Sequence, residues 1–296
     1  MQVDLQPIRS QQGGDQSVTP RKWWCGAYVG LVAVVFAQPL VRLISYSVNT
    51  ELHSHIPLVP LISGYLLYTQ RGRLPMGSHP SWLPAVTLFV FGSVVLVMRA
   101  LWVPMLSMND EMSLAALAFL SFVAAGGFLF LGSKWMVAAA FPCSFLLFVI
   151  PMPDAMASVL EVASMKASAD VAAFFLSVSG TPFVREDQVF ALPGIALRVA
   201  EECSGIRSSW VLFITSWLAS HFFLKTRWRG LVAVFFVIPL GIVRNGFRIL
   251  VIALLCVHIG PEMIESVIHR HGGPLFFGLS LGPLFMLVWW LRRSER

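Results

Sequence analysis

Apolar runs long enough to cross a lipid bilayer dominate this chain. From Leu231 to about Ile259 the sequence stays apolar except at Arg244, Asn245 and Arg248, and some 20 apolar residues suffice for a helix to span the hydrocarbon layer. Of the 296 residues, 57% are hydrophobic and 12% charged, against roughly 45–50% and about a quarter in soluble domains. So few charges cannot coat a soluble surface. The composition excludes a soluble enzyme, a disordered chain and a disulfide-built mini-protein. It predicts an all-α polytopic membrane protein with the lipid bilayer as its solvent. The net charge of +6 does not argue for nucleic acid, because Lys and Arg cluster at the ends of the apolar runs as in cytoplasmic loops.

The first 22 residues are polar and read as a disordered cytoplasmic tail, which leaves 23–296 as a single membrane domain. Apolar runs follow at about Trp23–Leu40, Ile56–Thr69, Trp82–Met98, Met112–Leu131, Trp135–Ile150, Ser208–Leu224, Leu231–Ile259 and Pro274–Leu291. That is about eight transmembrane helices. Arg21 and Lys22, Arg71 and Arg73, Lys134, Lys225 to Arg229, and Arg292 to Arg296 mark the cytoplasmic side and place both termini there. No fixed-period repeat is present.

Residues 151–207 differ in character. Acids outnumber bases here, and Ala155–Val178 is rich in Ala and Ser with interrupting charges. This segment is expected to be a small extracytoplasmic helix-plus-hairpin. In the hairpin Gln188–Leu192 and Ile195–Val199 flank Pro193-Gly194, with Ile195, Leu197 and Val199 alternating against Ala196 and Arg198.

This topology brings a thiol, a guanidinium and an imidazole to the outer face from separate stretches. Cys203 precedes the sixth run, Arg248 nears the outer end of the seventh, and His269 and His271 precede the eighth. A thiol attacks as thiolate. An imidazole can take its proton and later give one to a leaving amine. A guanidinium can stabilise a thiolate or an oxyanion. Arg207, Asn245 and Arg244 are candidates for holding substrate, and Arg244 is alternatively the partner of Glu201 or Glu202. Other readings stand beside this one. Cys203 can be a packing residue, or can pair with Cys256 in a disulfide. The pairs His53/His55 and His269/His271 offer four imidazoles to a metal, although Arg270 between two ligands is unfavourable, and the set gives neither a metal nor a cofactor. Polar residues in an apolar run also suit a secondary transporter, and a non-catalytic factor for surface polysaccharide export is a further class.

The motifs resemble those of the exosortase/archaeosortase family. Glu202-Cys203-Ser204-Gly205-Ile206-Arg207-Ser208 resembles its cysteine motif, and Asn245-Gly246-Phe247-Arg248 its Asn-x-x-Arg motif. His269 with Gly273 and Phe277 resembles its late His-x-x-x-Gly-x-x-x-Phe motif, and His53 to Tyr65 its early Ser-His-x-x-Leu-[Ile/Val]-Pro stretch. The set runs in the expected order from about Tyr46 to Phe277. The resemblance implies a membrane-embedded cysteine protease or transpeptidase. Its substrates would be proteins bearing a C-terminal tripartite signal of the PEP-CTERM kind: a short motif, an apolar span and a basic tail. The tail would be cleaved at the periplasmic face of a bacterial inner membrane and the protein passed to an acceptor of unknown identity. It further implies Cys203 as nucleophile, Arg248 as stabiliser and His269 as acid/base. His269 is favoured over His271 because it alone has the matching spacing to Gly273.

Overall fold

The computed structural model describes residues 18–75, 79–199, 205–265 and 273–295. They form two compact units, Met1–Pro153 and Asp154–Arg296. The expected tail 1–22 falls mostly outside the described residues, and its last five residues join the first helix.

In the first unit, α1 (Val18–Val35) and α2 (Ala37–Asn49) meet at Phe36 with a bend of 72°. The short α3 (Leu58–Gln70) follows. α4 (Trp82–Trp102) and α5 (Met108–Gly126) form an antiparallel pair, and α5 continues as one π-helical turn to Leu131. α6 (Ser133–Ala138) and α7 (Ala140–Phe145) complete the helices. α5 is the hub of this unit. Its buried positions are mostly small, among them Ser113, Ala115, Ala118, Ser121 and Ala125. Small residues let helix backbones approach closely where lipid supplies no hydrophobic drive between helices. Ser107 caps α5 by accepting the Asp110 N–H at 3.0 Å. Asn109 Nδ2 and Ser113 Oγ donate to the carbonyls of Met152 and Pro151, at 2.7 and 2.9 Å, and so anchor the end of the unit.

In the second unit, α8 (Asp154–Val178) is followed by three short antiparallel strands, β1 (Val184–Glu186), β2 (Val189–Leu192) and β3 (Ile195–Arg198). The β2–β3 hairpin has the expected register, with Leu192 opposite Ile195 across Pro193-Gly194. Gly194 takes φ +83°, the second corner of a tight turn that a proline at the first corner favours. β1 extends the hairpin to three strands. Phe190, Leu192, Leu197 and Val199 are buried against Met165, Ala169, Ala172 and Leu176 of α8. The unit continues with α9 (Ile206–Phe223), α10 (Arg227–Phe235), α11 (Val237–His258) and α12 (Gly273–Arg293). Ile249, Ile252, Ala253 and Cys256 of α11 close the same core. A side chain at Gly246 would sit 2.6 Å from Val171 Cγ1, so a glycine is needed for α11 to lie this close to α8.

Three helix breaks share one cause. Proline lacks an N–H, and its ring crowds the carbonyl four residues earlier. Pro39, Pro142 and Pro239 each stand four residues after the last residue of a helix, Val35, Ala138 and Phe235. The rungs on both sides survive. Phe36 N–H bonds to Val32 O and Leu40 N–H to Phe36 O, both at 3.0 Å, and the equivalent pairs around Ala139 and Phe236 span 2.9 to 3.1 Å.

These breaks change the count of spans. Among the described residues, four stretches are long and apolar enough to cross a bilayer alone: Trp82–Trp102, Met108–Leu131, Arg227–His258 and Gly273–Arg293. Counting bent pairs as single spans raises this to as many as six, against the eight expected from apolar runs. α3 has 13 residues, a length of about 20 Å at 1.5 Å per residue, where the hydrocarbon layer is about 30 Å thick. The run at 135–150 is divided at Ala139. α9 lies where the sixth run was expected, but Ser208, Ser209, Thr215, Ser216, Ser220 and His221 dilute it.

One charged contact ties the last helix to α10. The Glu295 carboxylate accepts the N–H groups of Lys225 and Thr226, both at 2.9 Å, and Arg229 Nη1 lies 3.9 Å away. The Lys225 bond first, with Thr226 and Arg229, holds the Glu295 carboxyl below its ordinary value despite some burial. A lowered carboxyl value stabilises the fold above the unfolded-state value and stops doing so as pH falls through the folded-state value. Glu295→Gln is therefore expected to melt below wild type at pH 7. The gap should close on acidification below about pH 4, as followed by thermal unfolding in detergent.

Candidate active site

The N-terminus of α9 and the middle of α11 carry the described part of the site. Gly205 immediately precedes α9 in the left-handed region, at φ +69° and ψ 7°. Its carbonyl accepts three hydrogen bonds. The Ser209 N–H gives the first rung of α9 at 3.0 Å, Ser208 Oγ donates at 3.1 Å, and Arg244 Nη2 donates at 3.1 Å from α11. The same Nη2 donates to Ser209 Oγ at 3.0 Å. One guanidinium thus fastens the later part of the cysteine motif, at Gly205, to the helix that carries the Asn-x-x-Arg motif.

The side chains around this knot are packed tightly. Arg244 is 8% exposed and Asn245 2%. A methyl group on Gly205 would meet Asn245 Oδ1 at 3.1 Å and Arg244 Nη2 at 3.3 Å. Two constraints therefore ask for glycine at 205, its backbone conformation and the space around it. Arg248 follows Arg244 by one helical turn and is partly buried, and Arg207 in the first turn of α9 is exposed. Two guanidiniums thus lie one turn apart on α11, and Arg244 is bonded to the N-terminus of α9. Among the described residues, Arg244 donates to neutral oxygens, the Gly205 carbonyl and the Ser209 hydroxyl.

Cys203, His269 and His271 lie outside the described residues, as do Glu201 and Glu202. The structure therefore brings together Arg244, Asn245 and the turn at Gly205, with Arg248 one turn along α11. The sequence reading missed the parts played by Gly205 and Ser209. Gly205 appears there only as a member of the cysteine motif, yet its carbonyl is held from three directions. The available signal was its place two residues after the cysteine and directly before a helix, with Ser209 four residues on.

The competing arrangements have definite places. Cys256 is a free thiol, 3% exposed in the core of the second unit, so it does not bridge to Cys203. His53 and His55 are buried in the first unit, His53 with its ring centroid 5.6 Å from that of Tyr46. Burial pushes His55 below its ordinary value, against opposing backbone hydrogen bonds at Phe148 and Leu52. No group of three or more His, Cys, Asp or Glu suited to a metal occurs among the described residues.

The geometry predicts that Gly205→Ala destabilises the protein by about 1–2 kcal/mol, the cost of left-handed backbone for a residue with a Cβ. Ser208→Ala should cost about 1 kcal/mol or less, one neutral hydrogen bond. Thermal unfolding of both variants in one detergent ranks them, and a Gly205→Ala midpoint equal to wild type would contradict the account.

No curated protein and no solved structure matches this chain. The sequence model of the transmembrane exosortase family matches it over residues 47–286, well over half of its length and both elements of the site. With its membrane-length helices and its ordered motifs, the chain belongs to the transmembrane exosortase family.

Proposed function

We propose that the protein is a membrane-embedded cysteine transpeptidase that removes a C-terminal sorting signal. The observation that carries this reading is the fastening of the turn just after Cys203 to the Asn245–Arg248 stretch of α11 through Arg244. It joins two of the stretches that resemble motifs of the family. In this reading Cys203 is the nucleophile, Arg248 the thiolate and oxyanion stabiliser, and His269 the acid/base, with His271 as its neighbour of the same chemistry.

The reaction is an acyl transfer in two halves. The Cys203 sulfur attacks the scissile carbonyl carbon, and the carbonyl oxygen takes up the negative charge beside the Arg248 guanidinium. The C–N bond breaks as His269 gives a proton to the departing amine, leaving a thioester on Cys203. An acceptor amine, hydroxyl or water then attacks the thioester, gives its proton to His269, and frees the sulfur. The N-terminus of α9 and the paired guanidiniums of α11 favour thiolate and oxyanion alike. The substrates are proteins with a short motif, an apolar span and a basic tail, cut at the outer face of the cytoplasmic membrane. Arg207, which is exposed, flanks the path of the substrate, while the buried Asn245 packs against Gly205 and Arg244 positions the turn.

The test compares the C-terminal peptides of membrane and secreted proteins in cells making wild type, Cys203→Ala and Arg248→Lys. Cys203→Ala is expected to leave a set of proteins with their apolar, basic-ended tails. Arg248→Lys should slow trimming by about a hundredfold, because a point charge replaces a planar fork at the oxyanion. Full trimming by Cys203→Ser at normal protein level would defeat the transpeptidase reading and favour a transporter or an export factor. An adduct on the trimmed wild-type ends would identify transfer, and a bare carboxylate hydrolysis.

A further inference from the structure

The first unit holds a cavity that the proposed chemistry does not use. It has a volume of about 360 Å³ and lies where α2, α4 and α5 converge beside the Phe36 break. Small-molecule sites begin at roughly 300 Å³. Phe36 and Leu96 supply apolar wall, while Gln38, Arg42, Arg99 and Glu111 supply polar groups. Helical spacing explains why these four meet. Gln38 and Arg42 are one turn apart on α2, Arg99 lies in the last turn of α4, and Glu111 lies in the first turn of α5.

The charges leave a surplus. Arg99 and Glu111 form an ion pair. Arg42 is exposed, and no carboxylate pairs with it among the described residues. Two guanidiniums against one carboxylate give the cavity a net positive charge. The Nε of Arg99 is buried with no hydrogen-bond partner among the described residues, a spare donor where unpaired donors are costly.

The level of the cavity in the membrane follows from three features. It sits at one end of the apolar α4–α5 pair, where the charged Arg99 and Glu111 occur. Trp102, 56% exposed, closes α4 at the same end, as tryptophans do at the boundary between hydrocarbon and headgroups. α2 turns away from α1 by 72°. It buries Leu43 and Ser47 while exposing Val41, Ile44 and Val48, the pattern of a helix lying in that boundary.

We propose that this cavity is a binding site for an anionic phospholipid, with the headgroup phosphate between Arg42 and Arg99 and the first chain carbons against Phe36 and Leu96. A phospholipid matches both features of the cavity, its phosphate the surplus charge and its chains the apolar wall. Gln38 adds a neutral donor for the headgroup. The site is independent of Cys203 and of the reaction proposed for it.

The test uses the full chain purified in detergent and titrated with phosphatidylglycerol, phosphatidylcholine or inorganic phosphate. Bound lipid is counted by native mass spectrometry, and the thermal midpoint is read alongside. Phosphatidylglycerol is expected to bind wild type about tenfold more tightly than phosphatidylcholine, the worth of one charge-assisted contact. Arg42→Gln and Arg42→Glu should lose that preference while melting like wild type without lipid, since Arg42 is exposed. Equal binding of the two lipids to wild type would overturn the proposal. So would an unchanged preference in Arg42→Gln, or stabilisation by inorganic phosphate equal to that by lipid.

Discussion

In a bilayer every backbone N–H and C=O must find its partner within the protein, because hydrocarbon offers none. A proline removes one donor from the ladder; Pro283 does so inside α12 without ending it, whereas Pro39, Pro142 and Pro239 each stand at the fourth residue after a helix end. The consequences reach through the fold. The bend at Phe36 turns α2 into a separate helix and opens the cavity at Arg42. At Phe236 the interruption leaves α10 and α11 as one membrane-length stretch, and Arg244 of α11 reaches the first turn of α9. Elsewhere small residues, as along α5 and at Gly246, let helices approach closely, beside cores of large side chains such as Phe190 and Leu176.

Much of this was legible in the sequence, for identifiable reasons. The hairpin was readable because Pro193-Gly194 names its turn and the apolar alternation names its faces. α4 and α5 were readable because unbroken apolar runs have few other solutions. The number of spans was not, because a hydropathy profile counts proline and short runs as apolar length and takes no account of the missing donor. Thirteen residues at 58–70 look like a membrane segment in composition, but they are too short to cross unaided.

The site divides in the same way. Chemistry-bearing residues announce themselves by type and order, and the thiol, guanidinium and imidazole were identifiable as a set. The neutral residues that hold them were not. Nothing in the residue type of Ser209 or Gly205 says that a buried arginine 35 to 39 residues later will bond to both. Arg244 itself was read for its charge, as a partner for substrate or for Glu201 or Glu202. Its observed contacts are with a carbonyl and a hydroxyl, and they follow from the close packing of α9 and α11, a tertiary fact that no local pattern encodes.

The three interrupted ladders also give the molecule a mechanical character. A continuous helix resists bending along its whole length, while a helix missing one rung is compliant at a single place and stiff on either side. The intact hydrogen bonds around Phe36, Ala139 and Phe236 confine that compliance to individual peptide units. The first unit thus has two such places and the second has one, and a change of helix angle there breaks no further backbone hydrogen bond.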